Sequence, residues 1–420
     1  MLAILILAFT SSFIDRQILT LLVGPIRADL AISDTEFSLL AGLAFALFYA
    51  FIGLPIARLA DSRSRRWIIV IGIVAWSFAT AACGLAGTYW QLFAARMAVG
   101  VGEATLTPAA TSLIADSFPP ERRGLATSIY GTGVYWGSGL ALMIGGAIVA
   151  SLQATPIVDV PLLGGIASWR TVFLFVGLPG LAISLLMLTI KEPARRDPAP
   201  RGQGVAAVSP LAFLGQNKRL IAAIYLGFTF LGMVLIGYLT WVPAMLTRQW
   251  GWGPAALGLS FGLVVLIAGT AGMLFGGWLT DKLVASGYRD GAVRAGLYGA
   301  IAAIPLCIAA PLMPTPTLFL AVVSGAIFAL TSTQALPIVA IQAIAPNRIR
   351  AQLVAVYFVV GSLLIFSSGP TIIALITDYV FADDSKIAFS LAIASAIFAP
   401  LGALTIAAGI KPYGTAVTGD

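Results

Sequence analysis

The 420-residue sequence contains no histidine and only two cysteines, and only 10% of its residues are charged. Without histidine, the side chain that most readily changes protonation near neutral pH is missing, so a proton-handling group here must be a carboxylate. Cys83 and Cys307 each lie in an apolar stretch, where compact packing is expected rather than a disulfide framework or a metal site. So few charges beside 59% hydrophobic residues leave too little polar surface to coat a soluble globule. A Gly-Lys-Ser/Thr phosphate loop is also missing, which argues against an ATP-driven pump. Gly100-Val101-Gly102 sits in an apolar run with no strand before it and is not read as a dinucleotide loop. No cofactor and no metal are expected.

What the sequence has instead is long apolar runs. A helix needs about 20 mostly apolar residues to cross a bilayer, and roughly twelve such runs fit. They lie at 1–24, 36–60, 67–86, 88–115, 124–151, 168–190, 219–246, 254–280, 294–313, 316–344, 351–379 and 385–410. The runs are continuous rather than alternating, which favours helices over a barrel. Met1 to Leu7 carries no charge and Asp15-Arg16 interrupts the apolar residues after it, so the first run is read as a helix and not as a cleaved signal. The run opens almost inside the membrane, and residues upstream of it are expected. Pro55, Pro108, Pro179, Pro243, Pro337 and Pro370 fall within predicted helices and invite kinks.

The formal charge of +7 takes its meaning from position. Arg63, Arg65, Arg66, Arg122, Arg123, Lys191, Arg195, Arg196, Arg201, Lys218, Arg219, Lys282, Arg289, Arg348, Arg350 and Lys411 occupy alternate connections. The opposite connections hold Arg27, Arg170, Arg248 and Lys386. By the positive-inside rule both termini and the central loop are cytoplasmic, in a plasma (inner) membrane. The charge thus reports topology, and no nucleic-acid partner is expected.

Residues 191–218 form the one long stretch rich in proline, glycine and charge, a linker between 1–190 and 219–420, each with six predicted helices. Two segments recur across it. Ala57 to Ser62 resembles Gly277 to Lys282, an offset of 220 from Asp61 to Asp281, and Pro120-Glu121-Arg122 resembles Pro346-Asn347-Arg348, an offset of 226 from Arg122 to Arg348. Nearly equal offsets indicate duplication, and parallel six-helix repeats describe major facilitator transporters.

Further motifs carry that resemblance. Asp61-Ser62-Arg63-Ser64-Arg65-Arg66 resembles the superfamily's loop signature, with Ala57 and Ser64 in place of two glycines, and Arg96 to Ala104 resembles its fourth-helix motif. Phe13-Ile14-Asp15-Arg16, Gly102-Glu103-Ala104 with Pro108, and Phe118 to Gly124 running into Gly137-Ser138-Gly139-Leu140 resemble the spinster branch. Organic-anion symporters share the Asp-Arg pair and the glutamate but show Gly-Pro where this chain has Gly137-Ser138. The resemblance implies an all-α membrane protein with twelve transmembrane helices in two pseudo-symmetric six-helix bundles, the major facilitator fold. It also implies alternating access, an amphipathic lipid such as a lysophospholipid or sphingosine phosphate, and Asp61 and Asp281 as cytoplasmic gate residues with Arg65, Arg66, Arg122 and Lys282.

Asp15, Arg16, Arg96 and Glu103 stand inside predicted spans, where charges are costly and mark function. Arg96, Gly100 and Glu103 share one helix face, whereas Asp15 and Arg16 point about 100° apart. Asp15 and Arg96 are expected at similar depth, with Glu103 roughly 10 Å nearer the cytoplasm and within reach of Arg16. Arginine stays charged and offers a planar fork for phosphate or carboxylate, so Glu103 taking up a proton would free Arg16 for an anionic head group. A static helix lock is the competing reading. The second half offers only neutral groups, Thr229, Tyr238, Trp241, Ser324, Thr331, Gln334 and Tyr357, as a pocket for the remainder of the substrate. A monomer working with protons, the bilayer and an amphipathic or anionic small molecule is expected. Small organic anions are the alternative cargo. A membrane enzyme is disfavoured because the short connections carry no catalytic cluster.

Overall fold

The computed structural model describes residues 1–152, 155, 157–160, 164–194, 210–346 and 349–418. Among them, eleven helical stretches are long and apolar enough to cross a membrane. In the first half the helices are α1 (Leu2–Leu21), α2 (Val23–Leu30), α3 (Asp34–Ser38), α4 (Ala44–Ser62), α5 (Arg65–Cys83), α6 (Tyr89–Glu103), α7 (Leu106–Ser117), α8 (Pro120–Gly131), α9 (Gly133–Leu152) and α10 (Ser168–Leu188). After α11 (Pro210–Gln216) come α12 (Lys218–Trp250), α13 (Pro254–Ala285), α14 (Gly291–Ala309), α15 (Pro316–Thr331), α16 (Leu336–Ile344), α17 (Arg350–Ser362), α18 (Gly369–Leu375) and α19 (Ile387–Thr418).

The run predicted as one helix over 88–115 is instead α6 followed by α7, broken at Ala104 and Thr105. Pro108 explains the break, because proline is tolerated within the first turn of a new helix, where no N–H partner is lost. Pro337 and Pro370 likewise open α16 and α18, whereas Pro55, Pro179 and Pro243 lie inside helices. The first predicted run ends at Leu21, and α2 then closes on Ala31 in a left-handed conformation with φ 52°. Chain direction is reset there by a capping box: Ser33 Oγ accepts from the Glu36 N–H, and Glu36 accepts from the Ser33 N–H.

Two departures from a plain α-helical pattern were not expected. Residues Ile157–Val160 (β1) and Gly164–Ala167 (β2) form an antiparallel ribbon between α9 and α10, with Ile157 opposite Ala167 and Asp159 opposite Gly165. Its β-branched strand and paired glycines favour extended chain over helix. Leu39–Leu43 and Leu363–Ser368 are π-helical turns, a feature found mostly at functional positions. They meet: a Cβ on Gly42 would lie 2.0 Å from the Phe366 carbonyl oxygen, so only glycine permits this approach.

The chain divides into two compact units. One comprises Met1–Ala194 with Gly237–Ile267 and Phe366–Ser390, the other Arg195–Ile236, Ala268–Ile365 and Leu391–Asp420. Within the first, α5 packs along α6 and α10, and α1 along α9. Within the second, α14 packs on α15 and α16. Large apolar side chains such as Leu178, Leu185, Ile267 and Leu404 remain exposed, as expected of surfaces facing hydrocarbon rather than water.

Candidate functional site

The centre of the first unit is built where α1, α4 and α6 converge. Gly100 and Gly102 make the convergence possible: a Cβ on Gly100 would lie 2.5 Å from the Phe45 carbonyl oxygen, and one on Gly102 would lie 2.7 Å from the Trp76 nitrogen. The motif is therefore a two-sided helix contact, with α4 on one side and α5 on the other. It delivers Glu103, whose side chain is fully buried, to Arg16 on α1. Both Nε and Nη2 of Arg16 reach Glu103 Oε2 at 2.6 Å.

Four rings enclose the same guanidinium. Its central carbon lies 4.1 Å from the Phe45 ring centroid, 4.6 Å from Phe13, 5.0 Å from Tyr49 and 5.6 Å from Phe366. A weakly hydrated planar cation is well matched to such faces. Phe366 arrives on the second π-helical turn, which gives that turn a task. These four aromatics did not stand out in the sequence, where each is one more apolar residue in a long run.

Asp15 and Arg96 lie beside this pair, both buried. Arg96 Nη1 donates to the Asp15 backbone carbonyl at 3.4 Å rather than to its carboxylate. Asp15 Oδ1, Glu103 Oε1, Arg96 Nε and the Thr80 hydroxyl have no hydrogen-bond partner. Two carboxylates and two guanidiniums thus share a buried core with open hydrogen-bonding capacity, an arrangement that is costly unless its groups exchange partners in use.

Arg65, expected beside Asp61 as a gate cation, is buried and donates to Asp116 at the end of α7 and to the Ser112 hydroxyl at 3.0 Å. It also donates to Glu192 Oε1 at 3.1 Å and to the Pro193 carbonyl at 2.9 Å. Glu192 in turn accepts from the Ser64 hydroxyl at 2.5 Å and the Arg65 N–H at 2.9 Å. Arg66 donates to the Leu188 and Ile190 carbonyls. The loop arginines are therefore clamped to the ends of α7 and α10. Burial alone would raise the Glu192 carboxyl, but the Ser64 and Arg65 hydrogen bonds outweigh it and hold that group below the ordinary glutamate value. Arg122 and Asp281 are exposed, and Lys282 lies 4.9 Å over the Trp278 ring. The Asp61 side chain, Asn347 and Arg348 lie outside the described residues.

The neutral residues proposed for the second half are divided between the two units. Tyr238 and Trp241 belong to the first unit, where the Trp241 indole donates to the Pro370 carbonyl at 2.9 Å. In the second unit, Thr229 and Tyr357 both approach Gly361, and Tyr357 packs edge-on against Tyr225 at 5.4 Å. Thr229 is fully buried with an unpartnered hydroxyl. Ser324 and Thr331 bond back to carbonyls of their own helix at Leu320 and Phe328, and Gln334, in the turn after α15, donates to the Leu330 carbonyl.

An ionic network at the opposite ends of the helices was missed altogether. Asp34, fully buried, receives both Nη atoms of Arg248 at 2.6 and 2.7 Å and lies 3.0 Å from Arg27. Arg27 also holds Asp384 at 2.5 Å, and Asp378 accepts from the Thr35 N–H and hydroxyl at 2.7 and 2.6 Å. Carboxylate oxygens of Asp34, Asp378 and Asp384 come within 4.8 Å of one another, and Arg27 and Arg248 supply the compensating cations. Each of these carboxylates sits at a helix end, where one sequence position alone reads as a solvated charge.

Comparison with known proteins places this geometry. The Major Facilitator Superfamily profile matches residues 5–370. The chain is 28% identical over 283 residues to an MFS-type efflux pump of Mycolicibacterium smegmatis, covering 67% of this chain and 62% of that protein. It is 28% identical over 302 residues to a probable L-galactonate transporter of Escherichia coli, covering 68% and 62%. The match thus spans less than two thirds of the length of these relatives. A solved bacterial homologue of the human lysosomal transporter spinster, inward-facing and occupied, superposes with a TM-score of 0.76 at 27% identity, covering 99% of this chain and 96% of that one. The fold and relatives are those of transporters and not of enzymes, and the chain belongs to the Major Facilitator Superfamily as a spinster-type member.

Proposed function

We propose that this protein is a secondary active transporter that works by alternating access, couples to protons through Glu103, and moves a single-chain anionic amphiphile such as a lysophospholipid or sphingosine phosphate. The observation that carries this reading is the Arg16 guanidinium, bonded twice to one buried carboxylate oxygen and enclosed by four rings. An anion taking the Nε–Nη2 edge of Arg16 must displace Glu103. Stranding a buried carboxylate costs about 3–5 kcal/mol, and a proton on Glu103 removes that cost. Proton and substrate anion therefore arrive together, while the aromatic faces favour an apolar chain next to the head group. Arg96 and Asp15 hold the neighbouring charge balance. The excess of basic residues in alternate connections supports cytoplasmic termini in a plasma membrane.

A second reading, transport of a small organic anion such as a sugar acid, draws on the likeness to the L-galactonate transporter. The two separate in proteoliposomes loaded at one pH and diluted into another. Gradient-stimulated movement of labelled lysophospholipid or sphingosine phosphate, with galactonate unmoved, is the expected result. Movement of galactonate alone selects the second reading, and movement of neither sinks both.

A further inference from the structure

A cavity of about 360 Å³ lies away from Arg16, within the first compact unit, where the ends of α1, α9, α10, α12 and α13 meet opposite the arginine-rich connections. Its volume falls in the range of small-molecule sites, about 300–1,000 Å³. Leu21, Leu22, Val149, Leu152, Val172 and Leu257 give it an extended apolar wall, and Ser168, Thr247 and Arg248 give it polar groups. Trp169 and Trp252 border it, and such amphipathic rings belong at the water–hydrocarbon boundary.

Arg248 joins this cavity to the ionic network. Its fork holds Asp34 at 2.6 and 2.7 Å, yet Asp34 also has Arg27 at 3.0 Å. Arg248 can therefore turn to a second anion without leaving the buried carboxylate alone. A long apolar wall beside one shareable guanidinium selects a ligand with one chain and one anionic head; a neutral hydrocarbon would leave the arginine unused, and a multiply charged polar solute would leave the wall unused.

We propose that this cavity binds a single-chain amphiphile with a phosphate head group, its chain along the Leu21–Val149–Leu257 wall and its head at Arg248, at a site separate from Arg16. Occupancy there competes with the Arg248–Asp34 pair and so bears on the ionic network that ties α3 to α12.

The test is photo-crosslinking of the intact protein in phosphatidylcholine nanodiscs with a lysophosphatidic acid carrying a diazirine on its chain, mapped by peptide mass spectrometry. Saturable labelling within 20–25 and 243–257 is expected, competed by unlabelled lysophosphatidic acid. Gly24→Leu with Gly253→Leu should raise the half-maximal probe concentration by about tenfold or more, one contact's worth of affinity. Those two positions tolerate side chains, since a Cβ at either meets nothing within 4 Å. Asp34→Asn, which removes the carboxylate Arg248 holds, should lower that concentration, and Arg16→Gln combined with Glu103→Gln, which removes both charges of the central pair, should leave it unchanged. Three results overturn the proposal: unsaturable labelling spread over exposed helix surfaces, indifference to the glycine substitutions, or loss of labelling in the folded variant carrying both Arg16→Gln and Glu103→Gln. The last would mean that the probe enters only the central site, so this proposal fails apart from the transport reading.

Discussion

Arg16 and Arg65 solve the same problem, a guanidinium withdrawn from water, with different neighbours. Arg65 is surrounded by fixed acceptors from Asp116, Glu192, Ser112 and Pro193, a structural clamp. Because the Glu192 carboxyl is held below its ordinary value, its contribution is complete above the unfolded value of about 4.3 and is lost as pH falls through the lower folded value. Glu192→Gln should thus destabilise the protein at pH 7 by on the order of 1 kcal/mol, read as a lower thermal midpoint in detergent. The gap from wild type should close below about pH 4; a gap independent of pH would contradict the clamp. Arg16 has one carboxylate and four rings instead, so Arg16→Lys keeps the charge but loses fork and stacking, and should weaken substrate binding by about tenfold. A contact between Arg16 and Glu103 can be anticipated from sequence, because few charges stand inside apolar runs and their helical positions constrain which can meet. Asp116 and Glu192 could not be: they lie 51 and 127 residues from Arg65, at span ends where any carboxylate looks solvated.

At the level of helices, neighbouring glycines on α13 have opposite duties. A Cβ on Gly276 would lie 1.9 Å from the Ser332 carbonyl oxygen, whereas one on Gly277 meets nothing within 4 Å. Gly276→Ala should cost about 1–3 kcal/mol through overpacking, and Gly277→Ala should gain about 0.5–1 kcal/mol of helix stability. Parallel thermal unfolding of the two variants checks this, and similar midpoints would refute the packing account. Sequence marks such glycines without saying which face is crowded, since that depends on a helix distant in the chain. The same limit hid the break between α6 and α7 and the π-helical turns at Leu39–Leu43, Leu363–Ser368 and Ile376–Phe381. Run length and hydropathy locate a span, but they do not register a one-residue change in its hydrogen-bond ladder. Pro108 was the available signal for the break.

Across the whole molecule, the helical spans were the most readable feature, because the lack of water in the bilayer forces helices wherever long apolar runs occur. The ionic network around Asp34 was not readable, as its members come from three separate stretches of chain, 27–35, 248 and 378–384. Arg248→Gln removes two charged hydrogen bonds from buried Asp34 and leaves it with Arg27, and should cost about 1.5–3 kcal/mol. Asp34→Asn in the same chain should recover part of that loss in a double-mutant cycle of unfolding midpoints; strictly additive losses would deny the coupling. The network and the Arg16 centre lie in one compact unit. The central claim is that Glu103 carries the coupled proton. Its most direct test is to record internal pH with a trapped dye in proteoliposomes while lysophospholipid or sphingosine phosphate is added, for wild type and Glu103→Gln. The account predicts substrate-dependent acidification in wild type, and in the variant substrate exchange without proton movement; undiminished proton movement in Glu103→Gln would contradict it.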